Sequence, residues 1–255
     1  MLAVARKNTI KEVILEKKSV TVVELSALFN VTEETIRRDL KNLEEEGALT
    51  RTYGGAFLDQ GVQSDIKLAV RESSLVDNKK RMCKSCRKLI ANGDSIFLDT
   101  STSVLPICDL IADMRLTVLT NSLKVATKLA ERENIKLILM GGVLSSSSLS
   151  LFSPTAIRYM ENYYVDKAFM SCRSLHMNFG LSDTSESHAV VRRLVIERSG
   201  QVHLLADHTK FNKVSFVKID GIESINTLIT DDVLTEEWRE FLQKSNVELI
   251  ECTAS

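Results

Sequence analysis

Arg37 and Arg38 stand in the run Val31-Thr32-Glu33-Glu34-Thr35-Ile36-Arg37-Arg38-Asp39-Leu40-Lys41-Asn42-Leu43. A guanidinium fork can grip two acceptors at once, on a phosphate or on a guanine edge. Ile36, Leu40 and Leu43 recur at helical spacing and form one apolar stripe. Thr32 is placed to cap that helix by accepting a backbone N–H, with Glu33 and Glu34 in the first turn, where the helix dipole favours anions. On the wheel Glu34, Arg38, Lys41 and Asn42 turn away from the stripe, while Thr35 and Arg37 flank it. With Thr32, these are the helix's candidate DNA contacts. The competing reading is a solvated face, with Arg37 and Arg38 paired to Asp39, Glu33 or Glu34.

The flanking segments decide whether this is a recognition helix. Ile10, Val13, Ile14 and Leu15 suggest a first helix, broken by Ser19-Val20-Thr21. A second helix over Val22–Phe29 carries Val23, Leu25, Leu28 and Phe29, and Asn30-Val31 turns the chain into the third. After Gly47, Ala48-Leu49-Thr50-Arg51-Thr52-Tyr53-Gly54-Gly55-Ala56 reads as extended chain around a Gly-Gly turn, which suits a β-wing and adds Arg51 and Tyr53 to the contacts. Charge alone does not make this case: up to Phe57 nine bases face nine acids. A neutral head binds DNA only if its bases gather on one face.

The chain has 255 residues, 44% hydrophobic and 26% charged, which describes an ordinary globular protein of one large or two unequal domains. No apolar run reaches membrane-spanning length and the N-terminus has no signal-peptide pattern, so a cytoplasmic protein without membrane contact is expected. Five cysteines are scattered along the chain. Cys83-Lys84-Ser85-Cys86 has CxxC spacing but falls on an apolar helical face with Met82, Leu89 and Ile90, so buried thiols are expected rather than a metal or redox pair. No cofactor is implied.

Residues 60–78 are polar and weakly patterned, and read as a linker between a head over 1–59 and a larger domain over 79–255. In the latter, helical stretches alternate with short apolar runs at 95–98, 116–119, 136–140, 167–170, 202–206, 227–229 and 247–250, the pattern of an α/β domain with a mainly parallel sheet. Ligands bind such sheets at the carboxyl ends of the strands. One end, Asp99-Thr100-Ser101-Thr102-Ser103, offers four consecutive hydroxyls before an expected helix, where side chains and amides could converge on an anion. A simple capped helix start explains those residues equally well.

The N-terminal motifs resemble those of the DeoR family of bacterial transcriptional regulators, whose winged helix carries Val-Ser-x-x-Thr-Ile-Arg-Arg-Asp-Leu and, later, Arg-x-x-Gly-Gly-Ala. Here they read Val31 to Leu40, with Thr32 for the serine, and Arg51-Thr52-Tyr53-Gly54-Gly55-Ala56. The resemblance continues through Asp99, Thr120-Asn121-Ser122, Gly141-Gly142, Ala168-Phe169, Arg192-Arg193, Asp207-His208-Thr209-Lys210-Phe211 and Thr230-Asp231. It implies a winged helix-turn-helix followed by a sugar-phosphate sensor similar to ribose-5-phosphate isomerase. By that resemblance Asp99, Thr100, Ser101, Thr102 and Ser103 would hold a phosphate, while Asn121, Asp207 and Lys210 would contact or order the sugar, beside Gly141. A double-stranded DNA operator, a small phosphorylated effector that relieves repression of carbohydrate genes, and assembly as dimer or tetramer are the implied partners.

The departures concern glycine. Where the family's loops are glycine-rich, this chain has Ser101, Ser103, Ser153, Ser171, Ser174 and Asn212, and His188 stands at a usually acidic position. Each replacement adds a Cβ where backbone freedom is expected: either the effector differs, with serine hydroxyls remaking the pocket, or sensing is weakened, or these positions simply tolerate serine. In the first two cases common sugar phosphates should bind poorly and Ser101→Gly should strengthen their binding. Two alternatives stay open: a regulator with a degenerate effector pocket, and an isomerase- or deaminase-like enzyme using Asp99, Asp207 and Lys210. The enzyme reading lacks a convincing base.

Overall fold

The computed structural model describes residues 2–17, 19–46, 48–57 and 68–253. Gly47 and the stretch 60–67 of the expected linker lie outside them. Two units are distinguished, Met1–Val76 and Asp77–Ser255.

In the first unit α1 (Ala3–Lys17), β1 (Ser19–Thr21), α2 (Val22–Phe29), α3 (Glu33–Glu45), β2 (Thr50–Thr52) and β3 (Gly55–Phe57) follow one another. Ile10, Ile14, Leu25, Ile36, Leu40 and Leu43 fill its core, each burial contributing about 2 kcal/mol. Thr21 and Glu24 cap α2 reciprocally: the threonine hydroxyl accepts the Glu24 N–H at 3.1 Å, and the Glu24 carboxylate accepts the Thr21 N–H at 2.8 Å. Asn30 then ends α2 in the left-handed region at φ 51°, a conformation Asn tolerates. Val22 and Leu25 do the burying on α2, whereas Val23 and Leu28 stay on the surface.

The segment 19–21, expected only to break a helix, is a strand, because Val20 is buried between exposed neighbours and pairs opposite Ala56. It extends the β2–β3 wing to three antiparallel strands in the order β1-β3-β2. Gly55 makes that approach feasible, since a Cβ there would lie 2.1 Å from the Val20 carbonyl oxygen. Within 60–78, α4 (Leu68–Ser73) is helical, and its Val70 is buried in the first unit's core.

The second unit runs α5 (Val76–Cys86), β4 (Ser95–Leu98), α6 (Ile107–Leu110), β5 (Leu116–Thr120), α7 (Leu123–Leu129), β6 (Ile135–Leu139), β7 (Val143–Ser145), β8 (Ser150–Phe152), α8 (Pro154–Met160), β9 (Val165–Met170), β10 (Ser174–His176), β11 (Gly180–Asp183), α9 (Glu186–Glu197), β12 (Ser199–Leu205), β13 (Val217–Asp220), β14 (Thr227–Thr230), α10 (Glu236–Lys244) and β15 (Glu248–Glu251). Strands β15-β14-β12-β9-β4-β5-β6, in that order, form one parallel sheet. These are the seven apolar runs read from the sequence. Both faces are covered, which is why the runs do not alternate. Ile96, Leu98, Val118, Phe169 and Leu205 meet α5, α6 and α7 on one side; Phe97, Leu119 and Ala168 meet α8 and α9 on the other. Cys83 and Cys86 lie in the first of these layers, and burial pushes the Cys83 thiol up to about 12.

The short strands β7 and β8, a hairpin, and β10-β11-β13, a small antiparallel sheet, were not anticipated. A strand of three or four residues gives no usable alternation.

Candidate DNA-binding face and effector site

Thr32 caps α3 by accepting the Thr35 N–H at 3.3 Å, and the two hydroxyls lie 3.0 Å apart. Ile36, Asp39, Leu40 and Leu43 face inward. Glu34, Arg38 and Lys41 are exposed, and Thr35 and Asn42 half-buried at the margins. The pairing alternative is resolved one residue at a time. Arg37 takes Glu33 at 2.6 Å, an exposed contact of small energetic value. Asp39 turns away from both arginines to meet Arg6 of α1 at 2.6 Å, with side chains only 6% and 4% exposed. Arg38 and Lys41 have no ion pair among the described residues.

Several acids of the head are engaged by its own bases, while Glu34 stays exposed on α3. Glu46 at the end of α3 holds Lys7 at 3.2 Å and Lys11 at 2.9 Å. Glu44 accepts the Arg51 N–H at 2.8 Å, with the guanidinium 3.9 Å from its other oxygen, tying the wing to α3. Tyr53 is fully exposed at the wing's turn. Among the described residues, a formally neutral head therefore presents a helix face on which Arg38 and Lys41 have no ion pair, with Glu34 the one unpaired acid of that helix's first turn. The Arg6–Asp39 pair was missed from sequence, although its signal was there: Arg6 continues the Ile10, Ile14 spacing, and Asp39 sits between Ile36 and Leu43 at core positions.

At the carboxyl edge of the large sheet Asp99, following β4, is buried and fully engaged. One oxygen accepts the Ser101 N–H at 2.7 Å; the other accepts the Ser171 N–H at 3.1 Å and the Arg192 Nε–H at 3.0 Å. Arg192, from α9, also pairs with Asp183 on β11. Asp99 therefore orders the loops after β4 and β9 and is no anion ligand itself. The helix expected directly after the hydroxyl run is only the four residues of α6, beginning after Pro106, which supplies no side-chain cap. Turns occupy the interval, where the Ser101 hydroxyl and carbonyl both accept the Val104 N–H. No ready set of helix amides points at an anion there.

Besides Arg192, the edge carries the cationic group of Lys210. Its Nζ donates to the Ser171 hydroxyl at 2.6 Å and the Ser103 hydroxyl at 3.4 Å, and lies 3.5 Å from Asp207 Oδ2. Burial opposes the charge on Asp207, yet the Lys210 ammonium, the Thr209 hydroxyl and the Lys79 charge hold its carboxyl down to about 2. Thr100 and Thr102 are half-buried beside this cluster in sequence, and Ser101 is buried. Asn121 follows β5, the next strand along; it is buried, and its Oδ1 has no partner among the described residues. Gly141, after β6, is exposed with open space around it. Ser103, Ser171 and Asp207 thus all meet the Lys210 ammonium, with Asn121 and Gly141 further along the same edge. Ser171 and Arg192 were not among the expected site residues. Arg192 announces itself only as a charge in register with Ala189 and Val195 on a buried stripe.

The glycine expectation needs correction. None of Ser101, Ser103, Ser153, Ser171 and Ser174 has a positive φ. Ser153 caps α8 by accepting the Ala156 N–H at 2.9 Å, Ser171 donates to the Leu205 carbonyl at 2.6 Å, and Ser174 meets Ser215 at 2.8 Å. Only Asn212 keeps the left-handed backbone, at φ 56°, and its side chain accepts the Trp238 indole N–H at 3.0 Å. The serines are hydrogen-bonding parts of the loops, and no backbone freedom is lost at them. His188 lies inside the first turn of α9, 3.7 Å from Asp183 and against the Phe152 ring.

Comparison with known proteins agrees with both halves. Residues 6–61 match the DeoR-like helix-turn-helix domain, and residues 74–232 the DeoR C terminal sensor domain. The chain is 41% identical over 234 residues to the uncharacterised helix-turn-helix-type transcriptional regulator YulB of Bacillus subtilis, covering 92% of this chain and 91% of YulB. It is 31% identical over 245 residues to the transcriptional repressor GlcR of the same organism, covering 96% and 95%. A solved D-ribose-5-phosphate isomerase in complex with phospho-erythronic acid aligns over 53% of this chain and 54% of its own at 15% identity and a TM-score of 0.40, too distant to carry a functional inference.

Proposed function

We propose, given that this chain belongs to the DeoR family of transcriptional regulators, that it represses carbohydrate-metabolism genes by setting α3 and the wing on a double-stranded operator, and that a small phosphorylated metabolite at the sheet's carboxyl edge releases it. It is a regulator and not an enzyme. The observation that carries the DNA-binding assignment is the pairing pattern of α3, which leaves Arg38 and Lys41 uncommitted opposite a buried seam. Arg38 is assigned to base edges, and Arg37, Lys41, Arg51 and Thr32 to phosphates, with Glu34, Thr35, Asn42 and Tyr53 bordering them. Releasing Arg37 from an exposed pair costs well under about 1 kcal/mol, so it remains available to a phosphate.

The effector reading rests on the Lys210 ammonium beside the Ser103 hydroxyl, donors suited to phosphate oxygens, and on the carbonyl oxygen of Asn121, unpartnered among the described residues, which suits a sugar hydroxyl. Thr100, Ser101 and Thr102 shape the loop, and Asp99 and Asp207 orient it. One winged helix covers one half-site, so a dimer or tetramer on a two-fold operator in the cytoplasm is proposed. No helix among the described residues is long and apolar enough to cross a membrane. A mobility-shift titration on duplexes from around the gene tests the whole reading. Specific binding, weakened by a phosphorylated sugar, is expected; equal affinity for every duplex at fixed salt would refute it.

A further inference from the structure

We infer that helix α5 conveys occupancy of the effector site to the DNA-binding unit, with Asn78 and Cys83 as the positioning residues that couple them. This deepens the sensor reading above and rests on it. Helix α5 begins at Val76, the last residue of the first unit, so any displacement of its start is passed on through the chain itself. Its inward side chains reach the carboxyl edge at separate loops. The Asn78 amide donates to Asp231 at the end of β14, and that buried carboxylate also accepts the His208 N–H at 2.7 Å and meets its Nδ1 at 2.9 Å. The Cys83 thiol donates to the Ser103 carbonyl at 3.0 Å. Lys79, buried between them in sequence, is one of the charges that keep Asp207 ionised.

Ser103 and Lys210 are the groups that a phosphate at this edge would engage, and Asp207 is the carboxylate that now shares the Lys210 ammonium. A ligand that draws Lys210 and the Ser103 hydroxyl to itself changes the turn whose carbonyl holds Cys83. It also changes the Asp207–His208 turn, whose partner Asp231 holds Asn78. An eleven-residue helix is a rod of roughly 16 Å; its core side chains and the Arg81 and Ser85 contacts with Cys252 seat it, and the bonds at residues 78 and 83 are the ones that tie it to the loops of the effector edge. Allosteric coupling requires an element whose two arrangements both sites bias, and α5 is held by hydrogen bonds at one site and by a peptide bond at the other.

The experiment uses the full chain and three measurements on each variant: calorimetric affinity for inorganic phosphate, ribose 5-phosphate and glucose 6-phosphate; operator affinity without them; and operator affinity at saturating probe. Asn78→Leu and Cys83→Ala are expected to keep the first two within about twofold of wild type. The ratio of operator affinities without and with probe should fall from the several-fold or greater change typical of such coupling to about one. Lys80→Ala, on the exposed side of the same helix, should keep the wild-type ratio. Melting curves separate loss of coupling from loss of fold.

A ligand-independent arm guards against a missing effector. Lys210→Met disturbs the site directly, and should change operator affinity in the wild-type background but not beside Asn78→Leu or Cys83→Ala. Wild-type ratios in both variants, or an equal Lys210→Met effect in all backgrounds, overturns the role of α5. Failure of every probe to bind, together with a Lys210→Met protein that binds operator as wild type, instead overturns the sensor reading beneath it.

Discussion

Replacing Asp39 by alanine should loosen the recognition helix without touching its outward face. The Arg6–Asp39 pair is almost wholly buried at 2.6 Å, and removing one partner of such a pair costs about 3–5 kcal/mol because the other charge is left unpaired out of water. At about 0.05–0.15 kcal/mol per residue, a unit the length of Met1–Val76 holds about 4–11 kcal/mol in all. The substitution therefore removes between about a quarter and the whole of the head's stability. Native-state hydrogen exchange on the full chain, read at the amides of α3, should show protection falling by that amount while the strands of the large sheet are unchanged. The double change Arg6→Met with Asp39→Leu should recover at least about 2 kcal/mol of the loss, since a well-packed apolar pair can replace a buried ion pair at little cost. A loss below about 1 kcal/mol in Asp39→Ala, or a double variant as unstable as the summed singles, would show that the pair does not hold α3 in place.

His203 is buried with neither ring nitrogen hydrogen-bonded among the described residues, and burial, aided by the Lys167 charge, pushes it down to about 4. The unfolded chain takes up this proton near pH 6.5 and the folded one only near 4, so its contribution is complete above 6.5 and is lost as pH falls towards 4, by about 3 kcal/mol. Urea midpoints of His203→Leu should flatten over that window; an unchanged slope contradicts the assignment. At residue 212, Asn→Gly keeps the left-handed backbone and loses only the Trp238 hydrogen bond, for about 1 kcal/mol, whereas Asn→Ala adds about 1 kcal/mol of strain. Equal midpoints for the two would refute the backbone part. Ser101→Gly, which deletes the hydroxyl accepting the Val104 N–H, is expected not to strengthen phosphosugar binding, and a tighter calorimetric isotherm would restore the lost-glycine reading.

Much of the fold was legible because the signals were periodic. The seven runs of the parallel sheet, the α3 stripe and the Gly54-Gly55 wing each follow from a spacing with one physical cause. What escaped was of two kinds. Strands as short as β1 and β10 owe their existence to a partner distant in sequence, and nothing local announces them. Charges at core positions, Arg6 with Asp39 and Arg192 with Asp99 and Asp183, were visible as breaks in an apolar stripe, but their partners lie on other elements. The serine-for-glycine comparison overreached on backbone freedom, because of those six positions only Asn212 has a positive φ and nothing local to a serine shows what conformation its backbone takes.

The central claim is that Arg38 reads the operator and that Arg37, tied to Glu33, does not. Mobility-shift titrations of Arg38→Ala and Arg37→Ala on operator and on a scrambled duplex, repeated over a salt series, test it most directly. Arg38→Ala should lose about 1–3 kcal/mol on the operator and little on the scrambled duplex, so that specificity collapses. Arg37→Ala should weaken both duplexes alike and reduce the salt slope by about one. Retained specificity in Arg38→Ala, or loss of specificity in Arg37→Ala instead, would contradict the account.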